Sequence, residues 1–180
     1  NFFFNLTLIV PLPYLMNTIW KINPDKYGLI QAAFPVGMIT GALLTEKIID
    51  QIGYNILIRN IALISAVGVT AFAVPIILFQ NTPSENFIWI YYSFLMFLSG
   101  ILVAWIDLPA NVIIQKIVPH NILGRVLSVK MSIIKIIVPA ALLISSFMIK
   151  VLEVEYLIIT GAAVFLSFNL IFFNSELGKE

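Results

Sequence analysis

The sequence contains no cysteine, and charged residues make up only 11% of its 180 residues. The absence of cysteine excludes disulfides, thiolate nucleophiles and cysteine metal sites. The net charge is only +1, so no basic surface for nucleic acid is expected. The single histidine, His120, lies in a polar segment and supplies too few ligands for a metal site. We therefore expect no metal, no cofactor and no nucleic-acid partner.

Hydrophobic residues dominate what remains, at 61% of the chain and a mean hydropathy of +1.03. A soluble globular domain has about 45–50% apolar residues and about 25% charged residues. One protein core could not bury so much apolar surface, so the surrounding solvent is predicted to be the lipid bilayer. The chain is apolar almost from Asn1 and has neither an initiator methionine nor a basic leader. We expect it to be part of a longer polypeptide.

Six apolar segments are long enough to cross a bilayer, for which about 20 residues are needed. Turn-forming residues separate them, and the short connections predict that successive helices are antiparallel. The fold class is therefore predicted to be an all-α integral membrane bundle with six transmembrane helices. The predicted spans are residues 2–20, 27–45, 54–79, 87–115, 124–149 and 154–174.

Basic residues are unequally distributed between the two sides of this bundle. Five of them belong to the loops near residues 50 and 120 and to the C-terminal tail, and three belong to the opposite loops. Since basic residues favour the cytoplasmic side, these loops and both chain ends are predicted to be cytoplasmic. The membrane is predicted to be a plasma membrane, and we expect a bacterial cytoplasmic membrane.

Ala33, Gly37 and Gly41 recur at every fourth position on one face of the second predicted helix. Such a stripe of small residues lets two helix backbones approach closely. It predicts either ordinary helix packing or a seam along which helices slide.

Two charges lie deep within predicted spans, where each costs at least about 2.5–3.5 kcal/mol. Counted from Lys116, Asp107 is about 13–14 Å deep, and counted from Arg125, Lys135 is about 15 Å deep, at 1.5 Å rise per residue. The pattern predicts that Asp107 and Lys135 are coupled across the fourth and fifth helices. The pair would either only neutralise two buried charges or shift the helices when Asp107 is protonated.

The segment that ends near residue 59 resembles the Gly-x-x-x-Asp-Arg-x-Gly-Arg-Arg signature of the major facilitator superfamily. Asp50 and Gly53 match the signature, whereas Glu46 and Gln51 depart from it, as is typical of the copy in the second half of the family. Residues 23–29 are similar to the usual entry to the eighth helix of the family.

A second resemblance is to the connection between the tenth and eleventh helices in the drug-antiporter branch that includes macrolide exporters. It covers residues 111–128, and the matching positions are Asn111, Gln115, Pro119, Gly124, Arg125 and Val126. Together the resemblances cover essentially the whole chain as helices seven to twelve.

The resemblance implies that residues 1–180 are the C-terminal six-helix half of a twelve-helix transporter, built as two inverted three-helix repeats. The implied partners are the N-terminal half of the same polypeptide, a small-molecule substrate and the lipid bilayer. The implied function is proton-coupled efflux of amphiphilic small molecules or drugs by alternating access. Asp50, Gly53, Gly124 and Arg125 become candidates for a cytoplasmic gate.

Trp105 and Asn111 are candidates for the substrate path. Trp105 lies two residues from Asp107, and a ring near a carboxylate would suit a lipophilic cation, although packing alone would also explain it.

Other classes of function remain as alternatives. A solute importer of the same superfamily is one, and a non-transporting membrane scaffold or channel subunit is another. An intramembrane enzyme would need a serine–histidine pair, an HExxH motif or paired aspartates within the membrane. The sequence has one histidine, in a loop, and one aspartate inside a predicted span, so we expect no enzyme activity. No Gly-x-x-x-x-Gly-Lys motif for nucleotide binding is present.

Overall fold

The computed structural model of the chain describes residues 10–52, 54–78 and 83–174, and this part contains helices and their connections without a β-strand. The all-α fold class is confirmed. Helix α1 is a single short turn that continues as a π-helix, Leu15–Ile19, and six further helices follow. Their bounds are Pro11–Tyr14 (α1), Pro24–Ile52 (α2), Tyr54–Ala71 (α3), Val74–Leu78 (α4), Glu85–Ile117 (α5), His120–Val151 (α6) and Val154–Asn174 (α7).

Three of these helices are long and apolar enough to cross a membrane, within Pro24–Ile49, Glu85–Ile117 and His120–Val151. Two shorter apolar helical stretches, Val67–Leu78 and Tyr156–Phe165, accompany them. Six transmembrane helices are therefore not confirmed. Residues 2–9 of the first predicted span lie outside the described residues, and the described remainder forms α1 and the π-helix. The third predicted span is interrupted between α3 and α4.

The predicted loops at residues 46–53 and 116–123 are shorter in the structure, because helices extend into both of them. Helix α2 continues to Ile52, because Glu46, Lys47 and their neighbours are compatible with a helix and no proline or glycine occurs between Gly41 and Gly53. Helix α6 begins at His120, directly after Pro119, whose backbone is extended with φ −57° and ψ 142°. The predicted loop around residues 116–123 is thus reduced to a tight connection.

The break between α3 and α4 lies at Phe72 and Ala73, which are both buried. Carbonyl groups at the end of a helix have no partner within it. The hydroxyl of Tyr91 donates to the carbonyl of Ala71 at 2.8 Å, and that of Tyr92 donates to the carbonyl of Phe72 at 2.9 Å. Two neighbouring tyrosines of α5 therefore satisfy the end of α3 and hold this break against α5.

Helices α2 and α5 run parallel and pack along most of their length. At their N-terminal ends Lys26 forms an ion pair of 2.9 Å with Glu85. Further along, a Cβ added at Gly37 would overlap the carbonyl oxygen of Phe97, and one added at Gly100 would overlap that of Phe34. The backbones of α2 and α5 therefore approach closely along the small-residue stripe of α2.

The core of the bundle lies between α2, α3, α5 and α7, whereas α6 contacts mainly α7. Much of the apolar surface of α6, including Ile133, Ile136 and Phe147, stays outside the bundle. Because α6 lies at the edge of the bundle, only the side of α6 that faces the other helices can bring its charged residues into the bundle interior.

Candidate functional site

Asp107 is half-buried in α5 and faces a cavity of about 100 Å³ between α3, α5 and α7. Ser99, Val103 and Asp107 are spaced four residues apart, so they share one face of α5 and line the same cavity. Ser65 and Gly68 line it from α3, and Phe165 lines it from α7. The site therefore combines one carboxylate with two hydroxyl groups inside a largely apolar wall.

The hydroxyl groups of the cavity are suited to hydrogen bonds with small polar guests. Ser65 donates its proton to the carbonyl of Ile61 on its own helix at 2.6 Å, which leaves its oxygen free to accept. A carboxylate only accepts hydrogen bonds, and a protonated carboxyl also donates one. The arrangement can bind, hold and release a proton.

Pro109 follows Asp107 closely and is buried within α5. A proline has no N–H, so the usual helical bond to the carbonyl four residues earlier, that of Trp105, is missing. Prolines are a recognised cause of helix kinks. Helix α5 continues through Pro109 without this bond, so one backbone carbonyl beside the acidic residue has no helical partner.

The predicted ion pair between Asp107 and Lys135 is not formed in this structure, in which both residues are described. Lys135 is exposed on α6, whereas Asp107 faces α3 and α7. Instead, Nζ of Lys130 donates to Oδ1 of Asn111 at 2.5 Å, and both side chains are half-buried. Five residues correspond to about 140° around a helix with 3.6 residues per turn, so Lys130 and Lys135 point in different directions.

Lys130 is a residue that the sequence reasoning did not select. The available signal was Asn111, which lies one helical turn from Asp107 on α5. The Lys130–Asn111 bond links α5 to α6 next to the acidic site.

Trp105 is directed toward α2, where its indole Nε1 donates to the carbonyl of Gly41 at 2.9 Å. The same carbonyl accepts the hydroxyl of Thr45 at 2.8 Å. The tryptophan thus has a packing role between α2 and α5, and its side chain is half-buried.

The described candidates for a cytoplasmic gate lie near helix ends. Asp50 belongs to the last turn of α2, and Gly53 lies outside the described residues. Gly124 is near the start of α6, where an added Cβ would meet nothing within 4 Å, and Arg125 next to it is exposed. Across the described part of the chain, no three histidine, cysteine, aspartate or glutamate residues are grouped as a metal site would require.

The family model described as Major Facilitator Superfamily matches residues 1–178. Comparisons with curated proteins and with solved structures found no match. The family match therefore covers every helix described above, including the cavity beside Asp107.

Proposed function

The chain belongs to the Major Facilitator Superfamily, and from this membership we propose that it is half of a proton-coupled exporter of amphiphilic small molecules. The family consists of multi-pass membrane transporters and is generally non-enzymatic. Membership therefore makes the chain part of a membrane transporter. Residues 1–180 would be the C-terminal six-helix half, and the N-terminal half of the same polypeptide would complete the substrate path.

The observation that carries proton coupling is the position of Asp107. It lies in the long apolar helix α5 and faces a cavity inside the bundle. Ionisable residues within membrane spans usually face an interior or a water-filled space and mark ion or substrate pathways. A carboxyl group in such a place gains and loses one charge with each proton, which is what coupling to a proton gradient requires.

The surfaces of α2 and α6 support the existence of further partner helices. Leu43 of α2 is 77% exposed and Ile136 of α6 is 72% exposed. Apolar side chains of this kind fit lipid or the helices of a second half. Substrate would then lie between the halves near the midplane, with Trp105 and Asn111 as the candidates on this side.

Asp107 and Lys135 remain candidates for a pair that forms in another state of the transport cycle. A lone buried charge is costly, so removing one partner of a true pair harms a protein more than removing both. Asp107→Asn, Lys135→Gln and the double variant would be compared for expression and for transport. Recovery of expression without transport in the double variant supports a functional pair, whereas independent effects mean that the two charges do not meet.

The main experiment measures uptake of a lipophilic cation into proteoliposomes that contain the complete transporter, driven by an imposed pH gradient. Asp107→Asn should abolish gradient-driven transport, while Asp107→Glu should retain part of it. Asp25→Asn is the matched control, because Asp25 is exposed in the first turn of α2. Unchanged transport by Asp107→Asn would reject proton coupling through this residue.

The same preparation separates the alternatives. Movement of substrate in the direction of the proton flux would indicate an importer. If no saturable flux is detected under any gradient, the protein would be a scaffold or channel subunit.

A further inference from the structure

The exposed side of helix α6 has two faces of opposite chemistry. Successive residues of an α-helix are rotated by about 100°, so positions three or four apart share a face. Every exposed polar side chain between Asn121 and Lys150 falls within one sector of about 80°. We call this sector the polar face of α6, and its polar members are Asn121, Arg125, Ser128, Ser132, Lys135, Ser146 and Lys150. Pro139 and Leu143 lie in the same sector.

A second sector of the same width holds exposed residues that are all apolar, and it is centred about 100° around the helix from the polar face. We call it the apolar face of α6, and its members are Ile122, Val129, Ile133, Ile136, Ala140, Ile144 and Phe147. The third side of α6 packs on the bundle and carries half-buried Lys130 and buried Ala141 and Ser145. A helix whose outer surface met only lipid would be apolar over both exposed sectors.

Lys135 is the residue of the polar face that lipid accommodates least. The hydroxyl groups of Ser128 and Ser132 donate to carbonyls of their own helix at 2.8 and 2.9 Å, so these donors are satisfied. Lys135 carries three N–H donors and a full charge. It lies ten residues beyond Arg125. At 1.5 Å per residue this is about 15 Å, near the centre of a hydrocarbon layer about 30 Å thick. A charge at this depth needs a counter-charge or water.

No described carboxylate forms an ion pair with Lys135. The sequence contains no aspartate or glutamate in the stretch 108–152, which includes all but the last connection of α6. Asp107 faces the cavity between α3, α5 and α7. Glu153 and Glu155 lie where α6 meets α7, at least about 27 Å along α6 from Lys135. The counter-charge of Lys135 therefore has to come from outside the described part of the chain.

We propose that the polar face of α6 is the contact surface for the N-terminal half of the transporter, and that a membrane span of this half places an aspartate or glutamate opposite Lys135. This inference rests on the proposed function, under which residues 1–180 are one half of a larger transporter. The polar face carries charge of one sign only, at Arg125, Lys135 and Lys150, so its complementary partner is acidic. The apolar face of α6 then contacts lipid.

Other occupants fit the polar face less well. Two copies of α6 packed through this face about a two-fold axis would bring its positive charges together. Lipid phosphates lie outside the hydrocarbon layer, whereas Lys135 is near its centre. A carboxylate of the substrate would leave Lys135 without a counter-charge whenever the site is empty, and a lone buried charge is costly. A carboxylate that belongs to the transporter itself stays at this depth permanently.

Photocrosslinking of the complete transporter in membranes distinguishes the two faces of α6. Benzoylphenylalanine, whose excited ketone inserts into nearby C–H bonds, replaces Ser132 in one variant and Ile133 in the other. The two positions are neighbours at the same depth, and both are exposed, Ser132 on the polar face and Ile133 on the apolar face. After irradiation and proteolysis, mass spectrometry should find peptides of the N-terminal half joined to position 132 in roughly tenfold excess over position 133. Equal yields, or adducts of position 132 with lipid or with a second copy, overturn the contact surface.

A second measurement uses the unmodified transporter and tests the carboxylate. Dicyclohexylcarbodiimide enters membranes and activates a carboxyl group, and a lysine in contact then forms an amide with loss of one water overall. We expect an amide between Nζ of Lys135 and an aspartate or glutamate of the N-terminal half. Lys135→Arg is the matched control, because it keeps the cation but supplies no amine for this amide. An amide of Lys135 with Asp107 instead, or no amide at Lys135, contradicts the proposed pairing.

Neither measurement depends on proton coupling. If Asp107→Asn abolishes gradient-driven transport while Lys135 forms no amide, the proposed function stands and the pairing fails. If Asp107→Asn transports normally while Lys135 is joined to the N-terminal half, the pairing stands and the proposed coupling fails.

Discussion

The indole Nε1 of Trp105 donates a hydrogen bond of 2.9 Å to the backbone carbonyl of Gly41. Gly41 belongs to the small-residue stripe of α2, where an added Cβ would lie 2.9 Å from the Cα of Ile101. The same close approach that brings the two backbones together therefore places the tryptophan against α2. Asp107 follows Trp105 by two residues on the same helix, so the packing of α2 on α5 also positions the acidic site.

Replacing Trp105 by phenylalanine keeps a ring but removes the donor to Gly41. We expect Trp105→Phe to lower the free energy of unfolding by about 0.5–1.5 kcal/mol, the net worth of a typical hydrogen bond. Thermal unfolding of the purified transporter in detergent would measure the loss. A reduced substrate affinity with unchanged stability would contradict this packing role and would place the ring in the substrate path.

The small-residue stripe of α2 was only partly interpretable from the sequence. The four-residue spacing of Ala33, Gly37 and Gly41 identifies one face of a helix, because the spacing depends only on local geometry. It does not identify the partner, since the glycine that completes the contact, Gly100, is far away in the chain. The packing was thus predictable from the sequence, and the partner helix was not.

For the acidic site, too, one property was predictable from the sequence and another was not. The depth of Asp107 follows from counting residues along a helix, and the structure places it inside an apolar helix that lines a cavity. The partner of a buried charge depends on how each helix is rotated about its axis, which loop lengths do not determine. Lys130 therefore lies against α5, while Lys135, at a similar predicted depth to Asp107, is exposed.

Alanine at Gly37 or at Gly100 should destabilise the bundle. The new Cβ would overlap a backbone carbonyl, which moves only if the helices separate. Overpacking of this kind typically costs about 1–3 kcal/mol. Thermal unfolding in detergent would show the loss, and Gly28→Ala should not lower the midpoint, because its Cβ meets nothing within 4 Å and alanine is the better helix former. Equal midpoints for Gly37→Ala and Gly28→Ala would contradict the packing of α2 on α5.

The two ends of the bundle should lie on opposite sides of the membrane. Single cysteines at Asp25, at the start of α2, and at Asn121, at the start of α6, would be exposed at helix ends. From the excess of basic residues near residues 50 and 120, we expect Asn121→Cys to be cytoplasmic. An impermeant thiol reagent added to intact cells should label Asp25→Cys only. Labelling of both positions from outside would reject this topology.

The bond between Lys130 and Asn111 should be the energetic link between α5 and α6. Hydrogen bonds to charged groups contribute about 1.5–3 kcal/mol, and leaving a half-buried ammonium without its acceptor adds a cost of desolvation. Asn111→Leu should therefore lower stability by about 1–3 kcal/mol, the penalty of a lost partner. Lys130→Met should cost less, because it removes the charge together with its need for a partner.

A double-mutant cycle with Asn111→Leu and Lys130→Met, scored by thermal unfolding in detergent, would measure this link. Residues in direct contact typically show coupling energies of about 0.5–3 kcal/mol. The matched control replaces Lys130→Met by Lys135→Met, since Lys135 is exposed on the same helix. We expect coupling with Lys130 and additivity with Lys135, because the rotation of α6 brings only Lys130 against α5. Coupling of Asn111 to Lys135 instead would mean that α6 is rotated differently in the membrane, so that Lys135 reaches the side of α5 that carries Asp107.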